Sequence, residues 1–288
     1  MATIQGYLRS EDLRINLILI RRSPLTILGL SLVILLVSIA LFAPHIAKHD
    51  PVKQELSKRL LPPSPEHPFG TDQLGRDIFS RVVWGSRISL TIAVVVVAVS
   101  FSLGTLIGVI SGYFGGKVDE VLMRVTDIFM AFPRLILAMA VAAALGPGIF
   151  NTMLAIAFVS WVYYARLARA STLQVREETF IEAARAIGAS DLRIILRHVL
   201  PMIVPPVIVQ ATLDMGGTIL TAAGLGFLGL GVQPPTPEWG VMVSEGRRFI
   251  TEQWWVSTFP GFAILLATLG FNLLGDGIND ILNVRARR

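Results

Sequence analysis

The chain alternates long apolar runs with shorter polar stretches, and six of the apolar runs have the length of a membrane-crossing helix. Residues 25–42, "LTILGLSLVILLVSIALF", carry no charge, and a hydrocarbon core of about 30 Å is crossed by roughly 20 apolar residues in a helix. About a dozen Leu, Ile, Val and Phe side chains, each gaining roughly 0.3–0.6 kcal/mol on insertion, give that run an apparent gain of about 5 kcal/mol. Further runs lie at 88–112, 121–145, 152–170, 203–231 and 256–281. The pattern predicts an all-α polytopic membrane protein with about six transmembrane helices. Its expected parts are a tail over 1–23, a first span over 24–43, a long loop over 44–87, a five-helix core over 88–281 and a basic tail over 282–288.

Composition agrees with that reading. Of 288 residues, 53% are hydrophobic and 16% charged, whereas an ordinary soluble domain is about a quarter charged. A net charge of +5 would suit a nucleic-acid partner, but the arginines flank the apolar runs as the positive-inside bias places them. Arg9, Arg14, Arg21 and Arg22 precede the first run, Arg176, Arg185, Arg193 and Arg197 separate the fourth from the fifth, and the chain ends "RARR". Six crossings bring both tails to one side, so the tails and the 176–201 loop read as cytoplasmic and the 44–87 loop as extracytoplasmic. Arg21 and Arg22 before an apolar run also suit a twin-arginine or cleaved signal. The run is longer than a signal's apolar region and reaches Pro44 without a small-x-small cleavage pattern, so it reads as an uncleaved anchor. With no cysteine, disulfides, thiolate metal sites and cysteine nucleophiles are excluded.

Within the runs, "GTLIGVISG" spaces Gly104, Gly108 and Gly112 four apart. One helix face is then bare of side chains and admits a close neighbour, more simply within the chain than from another subunit. Asp214, in "VQATLDMGG", is a carboxylate in an apolar run, and two readings stay open: part of a translocation path, or a buried hydrogen bond to a neighbouring helix. Asp127 and Arg134 raise the same choice. The proline-rich "LLPPSPEHPFG" cannot form a regular helix, and Trp239, Trp254 and Trp255 suit a membrane interface. Other motif matches carry no chemistry. "GLGFLG" matches the dinucleotide fingerprint in letters but follows no strand, and "GYFGGKV" is one residue short of a phosphate-binding loop, with Val118 where a hydroxyl should hold magnesium. His45, His49 and Asp50 could touch a metal, but Pro44 and Pro51 bracket them, and a solvated loop edge accounts for them.

The polar stretch between the fourth and fifth runs is more informative. Residues 177–187 suit a short helix with Phe180, Ile181, Ala184 and Ile187 on one face and Glu182 able to pair with Arg185. Gly188 stops it, since glycine tolerates the left-handed conformation at a helix end. Ser190 or Asp191 can cap a second helix with Leu192, Ile195, Leu196 and Val199 as its apolar face, which Pro201 ends or bends into the next span. DNA binding is excluded by the flanking membrane runs and by Glu177, Glu178, Glu182 and Asp191. A plain surface hairpin and a docking knob for a cytoplasmic partner stay open on physical grounds.

"EAARAIG" followed by "HVLP" resembles the EAA loop of permease subunits in binding-protein-dependent ABC importers, with Glu182, Ala183, Ala184, Gly188, Leu200 and Pro201 in register. His198, where the general pattern has isoleucine, resembles the peptide and nickel branch. "HPFGTDQLGRDIFSRVVWGSRISL", "FLGLGVQPPTPEWG" and "FNLLGDGIND" are similar to the second, C-type permease of dipeptide, oligopeptide or nickel importers. The resemblance implies a type I ABC importer permease fold in a bacterial inner membrane. It also implies a heterodimer with a similar permease, two cytoplasmic ATPase subunits that carry ATP and Mg, and an extracytoplasmic solute-binding protein. This chain would hold no cofactor and no metal, and would itself be no enzyme. The EAA residues would couple it to an ATPase. Loops with Gly70, Asp72, Gly75, Arg76 and Asp77, and with Pro235, Glu238, Trp239 and Gly240, would face the binding protein or seal the outer mouth. The solute stays open among dipeptides, longer peptides, nickel chelates, glutathione and opine-like compounds. The competing class is an ion-coupled secondary transporter, which needs midplane carboxylates and often an inverted repeat. Only one or two carboxylates, chiefly Asp214, speak for it, and no repeat is visible.

Overall fold

The structure, a computed structural model, describes residues 23–286, with side chains to residue 282. The expected tail 1–23 therefore falls outside the described residues except for Ser23, whereas most of the expected tail 282–288 continues the last helix as far as Ala286. Helix α1 (Pro24–Leu41) opens with Ser23 accepting the Thr26 amide at 3.4 Å and with proline at its first turn, where a missing N–H costs nothing. Helix α2 (Ile78–Phe114) has 37 residues, about 55 Å at 1.5 Å per residue. It begins at Ile78, upstream of the apolar run at 88, because Asp77 caps it by accepting the Ser80 amide at 2.7 Å. Its first turns thus rise out of the apolar layer and carry polar side chains.

The apolar run 121–145 is not one helix. Helix α3 (Gly116–Met130) and helix α4 (Arg134–Leu145) meet at an 88° bend. Pro133, at the break, lacks an N–H and disfavours helical geometry in the residue before it. Helix α3 is amphipathic, whereas α4, at 12 residues, is only about 18 Å long.

Helix α5 (Ile149–Arg176) lies along α2. A Cβ on Gly108 would stand 2.7 Å from the Ala168 Cβ, and one on Gly112 2.8 Å from the Thr172 Cβ, so the glycine-spaced face is used inside the chain. Two short helices follow, α6 (Thr179–Ala186) and α7 (Asp191–Ile194). Helix α7 passes through a π-helical turn (Ile195–Val199) into α8 (Leu200–Phe227). Helix α9 (Trp239–Gly246) precedes α10 (Trp255–Ala286), which packs on α1 where Gly29 meets Leu273 and Gly277 meets Thr26.

By length and apolar character α1, α2, the α7–α8 rod and α10 can each span a membrane, and the bent pair makes a fifth at most. Helix α5 is long enough, with 28 residues, but Arg166 and Arg169 sit in its second half; with it and the bent pair the elements number six. No β-strand occurs among the described residues. One buried core joins Leu36, Ile219, Trp239, Trp255 and Phe271, and another joins Val109, Tyr164, Ile181, Val199 and Val207. The first lies under the 47–77 loop and α9, the second under α6 at the opposite end of α2.

Candidate functional site

The 177–201 hairpin is fastened to the bundle on one side only. Ile181, Ala184, Ile194 and Val199 are buried against Val109, Tyr113, Ile203 and Val207. The Tyr113 hydroxyl donates to Asp191 Oδ1 at 2.7 Å, and Arg176 Nη1 donates to the Gly112 carbonyl at 2.9 Å. Gly188 takes φ +83° just beyond the end of α6, and its amide donates to the Arg185 carbonyl at 2.9 Å, a left-handed helix stop as the spacing predicts.

Four details differ from the expected hairpin. Arg185 does not pair with Glu182; its guanidinium lies 5.5 Å from the Tyr113 ring centre, and the Glu182 side chain has no hydrogen-bond or ion-pair partner among the described residues. Neither Ser190 nor Asp191 caps α7 through its side chain, because Asp191 is held by Tyr113. The apolar faces also differ: Phe180 is 40%, Ile187 86%, Leu192 66% and Leu196 57% exposed. Pro201 neither ends nor breaks the rod: it follows directly on the π-helical turn Ile195–Val199, where the hydrogen-bond register shifts. Of the motif residues, Ala184 is buried and Leu200 half-buried, while Glu182, Ala183, Gly188 and Pro201 are exposed.

Inside the bundle, Asp214 is buried and holds two partners. Arg134 Nη1 donates to its Oδ1 at 2.6 Å and the Tyr164 hydroxyl to its Oδ2 at 3.1 Å, while Arg134 Nη2 reaches Thr218 Oγ1 at 3.2 Å. Asp214 therefore ties α8 to α4 and α5, the second of its two expected readings. Asp127 pairs with Arg166, and Asp119 receives Arg169 Nη2 at 2.6 Å, so the charged face of α3 is matched by α5. A cavity of about 580 Å³ opens between α5, α8 and α10, with Ser171, Gln174, Gln210 and Pro205 among its walls.

At the other end, the two loops singled out in the sequence are brought together. Asp72 accepts the Arg76 amide at 3.0 Å and Arg76 Nε at 2.6 Å, and Arg76 and Arg81 both donate to Glu245 Oε2, at 2.9 and 3.2 Å. Both arginines are 1% exposed. Gly70 and Gly75 each take φ +73°. Glu238 is buried and accepts the Gly240 and Val241 amides at 3.0 and 2.9 Å; burial nonetheless pushes its carboxyl above the ordinary range. Trp239 Nε1 donates to the Val82 carbonyl at 3.0 Å, and Gly240 packs on Ala223. Of the nine loop residues only Pro235 is exposed; the others hold the cap together. Trp239 and Trp255 are likewise buried, which leaves Trp254, 50% exposed, as the one of the three tryptophans able to meet a membrane interface. The Arg76–Glu245 link spans 169 residues, and no local pattern announces it.

A membrane-embedded helical bundle with a charged hairpin anchored at one end and a buried ion-pair cap at the other has the build of a transport subunit. The family described as binding-protein-dependent transport system inner membrane component matches residues 104–288. The N-terminal TM domain of oligopeptide transport permease C matches residues 18–63. The chain is 50% identical over 268 residues to a probable D,D-dipeptide transport system permease protein of Escherichia coli (strain K12), covering 93% of this chain and 90% of that protein. It is 46% identical to a dipeptide transport system permease protein of Alkalihalophilus pseudofirmus, covering 93% and 88%. It is also 46% identical to a glutathione transport system permease protein of Escherichia coli O157:H7, covering 93% and 88%. Among solved structures, an inward-facing MetNI methionine ABC transporter matches with a TM-score of 0.58 at 18% identity, over 71% of this chain and 97% of that one. The chain belongs to the family of binding-protein-dependent transport system inner membrane components, in the permease C branch. It is a multi-pass, non-enzymatic permease subunit of an ABC importer with a type I importer fold, and it works in a complex with other subunits. Nothing supports the ion-coupled alternative.

Proposed function

We propose that this chain imports dipeptides or closely related small peptides, as one half of a path shared with a second, homologous permease. Relatives at 46–50% identity bear the names of D,D-dipeptide, dipeptide and glutathione permeases, which supports a short peptide as cargo. Two ATPase subunits with ATP and Mg drive the cycle, and a solute-binding protein delivers the cargo outside. Both tails and the 177–201 hairpin then lie in the cytoplasm of a bacterium.

The observation that carries this reading is the hairpin. Its inward side is fixed by Ile181, Ala184 and the Tyr113–Asp191 bond, while Glu182, Ile187, Leu192 and Leu196 stand exposed on the outward side and Phe180, 40% exposed, leans towards the His198 ring. Glu182, Ala183, Ala184, Gly188, Leu200 and Pro201 make or support the contact that a docked ATPase would grip. Asp214 serves the path by holding Arg134, whose side chain is 21% exposed. The rim around Pro235, held by the buried loop residues, meets the binding protein.

The test is uptake by the whole transporter reconstituted in liposomes. Gly188→Val places a branched side chain at φ +83°, a conformation such residues avoid. It should leave the chain in the membrane and abolish ATP-dependent dipeptide uptake. Retained uptake overturns the hairpin's role, whereas a wild-type transporter that takes up no dipeptide overturns the cargo.

A further inference from the structure

The loop between α1 and α2 contains a group of side chains that the importer reading does not use. His49, His67 and Asp77 each offer a ligand atom, and the three atoms lie within 4.8 Å of one another. The imidazoles of His49 and His67 have ring centres 4.9 Å apart. His45, four residues before His49, is not among them: the short helix Ala43–Ile46 ends between the two, so the histidine spacing visible in the sequence is not the grouping that forms.

The hydrogen bonds around these rings leave unused nitrogens. Asp77 is fully engaged, its Oδ2 accepting the Ser80 amide at 2.7 Å and its Oδ1 lying 2.9 Å from His67 Nδ1. With an ionised Asp77, His67 Nδ1 carries the proton and Nε2 holds a bare lone pair. His67 is only 4% exposed, and its Nε2 is buried without a hydrogen-bond partner. His49 Nε2 lies 3.2 Å from the Glu66 carbonyl, an acceptor only, so that nitrogen carries the proton and Nδ1 is free. Each ring therefore donates one N–H to a carboxylate or carbonyl and keeps one lone pair, the arrangement that orients metal-bound histidines. An orphaned buried acceptor costs free energy, and a cation bound to it removes that cost.

The main chain holds the pair in place. The His49 amide donates to Ser80 Oγ at 3.2 Å, the His67 amide to Ser64 Oγ at 3.1 Å, and the His67 carbonyl accepts the Gly70 amide at 2.8 Å. Glu66 Oε1 stands 3.8 Å from His67 Nε2. Two ligand atoms each about 2.0–2.1 Å from a tetrahedral zinc are roughly 3.3 Å apart, so this carboxylate would reach a third position on giving up its bond to Lys58 Nζ, 2.7 Å away. A cavity of about 250 Å³ adjoins the rings and leaves room for a water ligand. Lys48, Lys53 and Lys58 also line it; Lys53 and Lys58 are drawn to Glu55 at 2.7 and 3.4 Å, and Lys58 to Glu66 at 2.7 Å, while Lys48 makes no ion pair among the described residues. Such surroundings repel a cation held by charge alone, such as magnesium, and are compatible with one held by imidazole nitrogen.

We propose that His49 and His67, with Glu66 beside them and Asp77 behind His67, bind one divalent transition-metal ion of the zinc class. The ion would clip the exit of α1 to the entry of α2. The experiment uses the purified transporter without a polyhistidine tag, dialysed against zinc at buffered micromolar free concentration, with metal content and competition by a chromophoric chelator as readouts. The expected result is one zinc more per transporter in the wild type than in His49→Gln, affinity at least tenfold weaker in both His49→Gln and His67→Gln, no loss in His45→Gln, and no competition from millimolar magnesium. Equal zinc content in wild type and His49→Gln overturns the proposal. If His67→Gln does not fold, the half-buried His49→Gln decides alone.

Discussion

Asp214 is the residue where an isolated carboxylate in an apolar run meets its physical explanation. Its oxygens are satisfied by Arg134 and Tyr164, so removing it strands a guanidinium rather than merely deleting a charge. Breaking a buried pair costs about 3–5 kcal/mol; Arg134 is partly exposed, so Asp214→Ala should cost about 1–3 kcal/mol of stability and lower uptake. A double-mutant cycle with Arg134→Ala, read by thermal unfolding in detergent, should show clear coupling; additive losses would separate the two residues. Glu238 gives a second residue-scale expectation. Burial raises its carboxyl above the ordinary 4.5 despite the two amides it accepts. For an acid raised in the folded state, folding favours the protonated form, so that contribution is complete below the ordinary value and is lost as pH rises through the raised one. Glu238→Gln should therefore flatten the decline of thermal stability as pH rises above the ordinary 4.5, and an unchanged slope would assign the decline to other groups.

At the level of elements, the α2–α5 contact is the most sensitive to volume. The Gly108 Cα faces Ala168 with no room for even one carbon, and overpacking costs about 1–3 kcal/mol or more. Gly108→Leu should separate the helices and lower both the unfolding temperature and the yield of folded protein, whereas Gly116→Ala, which meets nothing within 4 Å, should disturb no such contact. The same scale shows where the apolar pattern reads true. Runs 25–42, 203–231 and 256–281 became α1, most of α8 and most of α10, because burying or lipid-facing apolar side chains is what a span needs on any side. The bend between α3 and α4 was hidden because hydropathy is blind to direction: Phe132 and Pro133 are apolar and leave the run unbroken while the backbone turns 88°. The hairpin's turn was readable from Gly188 alone. Its faces were not, since amphipathic spacing in α7 assumes a core to point at, and Leu192 and Leu196 point away from it. Arg185 likewise left its near neighbour for Tyr113, 72 residues distant in sequence, a choice that only the assembled bundle offers.

For the whole molecule, the two polar ends are separated by the length of α2, about 55 Å, yet they share more than one helix. The rod from Asp191 to Phe227 begins in the hairpin and finishes beneath the cap, where Gly226 lies against Glu238 and Ala223 against Gly240. Its π-helical turn, Ile195–Val199, sits at the hairpin end. A rod of 37 residues is about 55 Å long, so tilting it by 5° sweeps its far tip through roughly 5 Å. That is lever arithmetic: a slight rocking of the rod about its hairpin end would become, at the cap, a displacement as large as a side chain, with no message passed from residue to residue.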